Sequence, residues 1–154
     1  MGSWFAAWRP PRPPQTAYER AVALIERGRH ADSLAVWDAA AGEAPDDATR
    51  ARIRNKRGVA LIALGRRNDA VAEFCAALVL DERSAPVLVN IGNLLLEEGH
   101  IEDASDHYRA ALRCDERYAA AHRNLGIACK RAGRHAEAVR HLRVATRQEM
   151  RLKR

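Results

Sequence analysis

Apolar and small residues recur along this chain at i, i+3, i+4 and i+7, in short blocks that each stop at a glycine. The blocks ending LIALG, LLLEEG and CKRAG close on Gly65, Gly99 and Gly133. Each is followed by a second block of helical spacing: DAVAEFCAALVL, EDASDHYRAALRC and AEAVRHLRVAT. A glycine where such a pattern stops is the residue that tolerates the left-handed backbone of a helix C-terminus. The pattern therefore predicts an all-α chain built from helix–turn–helix pairs. Thr16 and Glu19 have the spacing of a capping box opening the first helix.

The pairs repeat. Gly58, Gly92 and Gly126 are 34 residues apart, as are Gly65, Gly99 and Gly133. Ala70, Ala104 and Ala138 keep the same step, with Phe74, Tyr108 and Leu142, then Ala77, Ala111 and Ala145. The units run 51–84, 85–118 and 119–152. A weaker copy at 14–47 carries Ala21 at the first glycine position, Gly28 at the second, Ser33, Trp37 and Ala40. Ala48 to Arg50 separate it from the next unit. The first glycine of each unit falls in mid-helix, where it costs about 0.5–1 kcal/mol against alanine. That cost is tolerable where a missing Cβ admits a close neighbour. No single helix can bury its apolar stripe alone, so successive units must stack.

The period, with Leu88, Ile91, Gly92, Leu95, Gly99, Ala104, Tyr108 and Ala111 in the fullest copy, resembles the tetratricopeptide repeat (TPR) family. The chain departs from that pattern where Arg54, Leu88 and His122 replace the aromatic early in the first helix. Pro45 has only Glu82 and Glu116 as counterparts. The resemblance implies a right-handed superhelical solenoid of about four units over residues 14–152. It also implies that the first (A) helices line a concave face that binds ligand. The A-helix positions concerned hold Tyr18, Val22 and Ile25; Arg52, Asn55, Val59 and Ile62; Val89, Asn93, Leu96 and Glu97; and Arg123, Ile127, Lys130 and Arg131. Aliphatic residues flanked by Asn and charge suit an amphipathic helix or extended peptide. Some family members grip chaperone tails with Lys, Asn and Arg. Here the matching places hold Asn55, Val59, Asn90, Ala120 and Asn124, without the cations, which disfavours that role.

Composition narrows the chemistry. The six histidines, His30, His100, His107, His122, His135 and His141, show no zinc-ligand spacing. No serine elbow or phosphate-cradling glycine loop is present, so neither an enzyme nor a metal or cofactor site is expected. Cys75, Cys114 and Cys129 lie in apolar helical patterns and are expected to be small buried side chains. The net charge is +6, mostly arginine on the basic side. Residues 85–118 carry net −4 and residues 119–154 net +8. That asymmetry fits steering of an extended partner with acidic groups, or head-to-tail self-association. Nucleic acid would want aromatics interleaved with the cations, and only Tyr118 lies near the basic end.

Residues 1–13 form an arm, with Trp4, Phe5 and Trp8 ahead of a proline-rich tether. It is expected to dock on its own groove, a second copy, another protein or a membrane surface, or to be a leader without function. No apolar run approaches the length of a membrane span, and a cytoplasmic protein is expected. Thr146 and Gln148 stand where earlier units have apolar residues, ahead of a basic tail, which reads as an exposed array end. The expected function is a non-enzymatic scaffold or adaptor that holds a protein or peptide. The rival reading is an assembly protein using its arm and array ends for a homo-oligomer or membrane-associated complex. A weaker one is an RNA-associated factor acting through the basic last unit.

Overall fold

The computed structural model describes residues 16–153, so Trp4, Phe5 and Trp8 lie outside the described residues. These form eight α-helices: α1 (Ala17–Glu26), α2 (His30–Glu43), α3 (Asp47–Ala63), α4 (Arg67–Leu80), α5 (Ala85–Glu97), α6 (Ile101–Cys114), α7 (Ala119–Arg131) and α8 (His135–Leu152). No strand occurs among the described residues. Each A helix packs most closely on the B helix that follows it, and each B helix on the next A helix. Successive A helices also touch, α3 with α5 and α5 with α7. The result is an all-α helical repeat solenoid, stabilised by neighbour contacts.

The four A–B turns are chemically alike. Gly28, Gly65, Gly99 and Gly133 have φ of 71°, 72°, 87° and 76°. In each turn the glycine N–H bonds three residues back and the next N–H five residues back, as in Arg134 N to the Cys129 oxygen at 2.8 Å. These are Schellman closures, and they satisfy the last carbonyls of each A helix. At the start of α1, the Thr16 hydroxyl accepts from Glu19 N at 3.1 Å and the Glu19 carboxylate from Thr16 N at 3.2 Å. Ala48 to Arg50, read from sequence as a spacer, instead form the first turn of α3. Asp46 caps that turn by accepting from Thr49 N at 2.6 Å.

The mid-helix glycines make room for the largest side chain of each unit. A Cβ on Gly58 would lie 2.5 Å from the Phe74 ring, and one on Gly92 2.6 Å from the Tyr108 ring. One on Gly126 would lie 2.8 Å from Leu142 Cγ. Phe74 and Tyr108 are accordingly buried, and Trp37 is buried in the first unit with Ala21 in the glycine's place. Two cysteine expectations need correction: Cys129 is buried, but Cys114 is only half-buried and Cys75 is exposed. Cys75 occupies the register of Arg109 and Arg143, a solvent-facing position of helix B.

A candidate peptide groove on the A-helix face

The A helices converge on an open cleft of about 470 Å³. Tyr18 enters from α1; Arg52, Asn55, Lys56 and Val59 from α3; Pro86 and Asn90 from α5; and Tyr118 caps α7. None of the lining residues is acidic. The Arg52 guanidinium lies 5.4 Å from the centroid of Tyr18, whose ring meets buried Trp37 edge-on at 5.3 Å. That contact holds the arginine over an aromatic face instead of burying it in an ion pair.

Asparagines tie the A helices together along this face. Asn90 Nδ2 donates to Asn55 Oδ1 at 2.7 Å, joining α5 to α3. Asn124 Nδ2 donates to Asn93 Oδ1 at 2.7 Å, joining α7 to α5. Tyr108 donates its hydroxyl to the same Asn93 oxygen at 2.9 Å. With this bond made, Asn90 retains a second N–H and its Oδ1, and Asn55 retains its Nδ2 hydrogens.

The structure divides the residues expected at the groove. Tyr18, Arg52, Asn55 and Val59 line the cleft together. Val22, Ile25 and Ile62 are half-buried, and the first two pack on the core around Trp37. Val89 and Leu96 are 4% and 8% exposed. They belong to the core that α7 closes with Ala121, Leu125 and Ala128, so they are not open to a ligand. Glu97 is paired with Arg67 at 2.8 Å. Arg131 donates to the Leu96 carbonyl at 3.1 Å, capping the end of α5. Arg123 pairs with Glu149. Ile127 and Lys130 are exposed further along α7.

Lys56, Pro86 and Tyr118 line the cleft but were not singled out from the sequence as groove residues. Lys56 shares the 34-residue register of Asn90 and Asn124, which was the available signal.

The TPR sequence pattern matches residues 14–39 and 89–149, together just over half of the chain. The chain belongs to the tetratricopeptide repeat family. Such repeats serve as protein–protein interaction scaffolds and are generally not enzymes. Among solved structures, this TPR chain is similar to MamA, at TM-score 0.69 and 17% identity, over 89% of this chain and 78% of that one. It is similar to pilF of Pseudomonas aeruginosa at TM-score 0.74 and 22% identity, over 86% of this chain and 59% of that one. It is also similar to YrrB, a TPR protein with an unusual peptide-binding site, at TM-score 0.63 and 17% identity, over 86% and 66% of the two chains. These likenesses are of fold. No curated protein matches the sequence. Among the described residues, no helix is long and apolar enough to cross a membrane.

Proposed function

We propose that this TPR chain is a non-enzymatic scaffold that holds an extended, acidic peptide segment of a partner protein in the cleft between α1, α3, α5 and α7. The observation that carries the reading is the cleft's lining: two cations, two tyrosines, a paired amide and no carboxylate. Arg52 and Lys56 attract partner carboxylates. Asn55 and Asn90 offer their remaining donors and acceptor to its backbone, and Val59 and Pro86 supply apolar contact. The peptide site carried by YrrB, a protein of similar fold, gives the reading a precedent.

The test is a selection of random displayed peptides on the intact chain. The enriched sequences are expected to be rich in Asp and Glu, and to bind the double variant Arg52→Glu/Lys56→Glu at least tenfold more weakly. Enrichment without acidic bias, or equal binding to the double variant, overturns the reading.

A specific feature favours assembly as a second reading. The outer face of α8 exposes Val139 and Met150, 46% and 63%, beside Arg143 and Arg147 around a shallow cleft of about 510 Å³. In this reading α8 packs in an assembly of copies. Light-scattering mass at micromolar concentration, compared with Val139→Glu/Met150→Glu, tests it. A monomer in both proteins eliminates it.

A further inference from the structure

Tyr118, the N-cap of α7, lines two clefts at once. One is the 470 Å³ cleft among the A helices. The other is an open cleft of about 590 Å³ between the start of α7 and the last turn of α8. The repeat explains the pairing. Tyr118 and Ala120 stand 34 residues beyond Ser84 and Pro86, which line the first cleft. The start of an A helix therefore contributes to both, one unit apart.

The second cleft is chemically distinct from the first. Its lining is largely apolar, from Tyr118, Ala119, Ala120 and Leu152. Leu152 is 84% exposed, and Tyr118 is half-buried. On α5 the corresponding surface is closed: Val89, 34 residues before Arg123, is 4% exposed in the core that α7 completes. Open apolar surface in a concave site favours an apolar ligand group.

Charge at the cleft selects that group's neighbours. Both acids in the lining are engaged within the protein. Asp115 Oδ1 accepts from Arg117 N at 2.9 Å, and Glu149 pairs with Arg123. Arg117 and Arg151 are exposed, and their guanidiniums make no ion pair with another described residue. Two uncommitted cations beside an apolar lining attract carboxylates and repel other cations.

We propose that this second cleft is an anchor pocket for one aliphatic or aromatic side chain of the acidic peptide held in the first cleft. Arg117 and Arg151 receive carboxylates next to that anchor. The proposal rests on the peptide-scaffold reading and adds to it a partner of defined pattern: an acidic run with an apolar residue at a fixed offset. Continuity at Tyr118 argues for one extended chain spanning both clefts.

The experiment is a displayed library with an Asp/Glu-rich core and random flanks, selected on the full chain. Fluorescence anisotropy then measures the enriched peptide and its anchor-to-Ser version. Ala120→Glu blocks the pocket at the second helical position of α7, where a carboxylate suits the helix N-terminus. Arg117→Ser/Arg151→Ser removes the exposed cations without touching the lining, and circular dichroism checks that each variant is folded. The expected result is an apolar residue enriched at one offset from the core. Replacing it with Ser should weaken binding to the wild type about tenfold, as burial of one apolar side chain implies. The same replacement should change nothing in Ala120→Glu, and Arg117→Ser/Arg151→Ser should bind the anchored peptide several-fold more weakly.

The two readings fail separately. Acidic peptides that need Arg52 and Lys56 but enrich no apolar residue, or lose nothing in either folded variant, overturn the anchor and leave the groove. Anchored peptides that ignore Arg52→Glu/Lys56→Glu overturn the groove and leave the pocket. A dimer that Ala120→Glu dissociates assigns the pocket to a second copy and overturns the proposal, and no peptide binding at all overturns both readings.

Discussion

Tyr108 packs its ring against the bare Cα of Gly92, where a Cβ would come within 2.6 Å of Cε1. The side chain concerned is fully buried and its hydroxyl is tied to Asn93 on the same A helix. Gly92→Ala therefore sets two effects against each other. Alanine gains about 1 kcal/mol of helix propensity, and overpacking costs about 1–3 kcal/mol. The ring cannot retreat from a filled core, so the substitution is expected to destabilise, by up to about 2 kcal/mol. Urea unfolding measures it. In a Tyr108→Ala background the clash is gone, and the same Gly92→Ala change should become stabilising.

The turn glycines fail for a different reason. A Cβ on Gly99 would meet nothing within 4 Å, but φ there is 87°. Gly99→Ala is expected to cost about 1–2 kcal/mol from the left-handed backbone alone. Gly99→Asn should cost less, because asparagine tolerates that region. Equal losses for Ala and Asn would point to packing and contradict the geometry.

Burial pushes the Tyr108 phenol from its ordinary 10.0 up to about 12. A raised folded-state pKa contributes stability that is complete below the unfolded value and is lost as pH rises through the folded one. Stability is thus expected to fall between about pH 10 and pH 12. Tyr108→Phe should flatten that decline, while losing about 1 kcal/mol at pH 7 with the bond to Asn93. Urea midpoints at the two pH values, with phenolate absorbance, check both.

Much of the architecture was legible because it is periodic. Gly65, Gly99 and Gly133 mark turns by one backbone requirement, and Phe74, Tyr108 and Leu142 mark the matching knobs. The groove was legible only as a stripe. Helical spacing places Val89 and Leu96 on the A-helix face, but it cannot tell that α7 covers them. Nor does charge reveal whether an arginine is already engaged: Arg123 and Arg131 satisfy Glu149 and the Leu96 carbonyl. Lys56 and Tyr118 enter the cleft through the convergence of four helices, a relationship distant in sequence. His122 and His141, whose Nδ1 atoms meet at 2.9 Å, stand in the register of Arg54 and Glu73, which pair at 3.2 Å in the second unit.

The assembly reading makes a separate demand on the amide ladder. Asn90→Ala removes the donor to Asn55, which joins α5 to α3 at a half-buried site. The expected loss is about 0.5–1.5 kcal/mol of stability, with no change in solution mass. A change of mass would move the interface between copies from α8 to the A-helix face.

The most direct test of the groove is amide chemical-shift mapping of the isotope-labelled chain during titration with an acidic peptide from the selection. Saturable shifts concentrated at Arg52, Asn55, Lys56, Val59 and Asn90 are the expected result. Shifts confined to the outer faces of α4, α6 and α8, with those five amides unmoved, would contradict it.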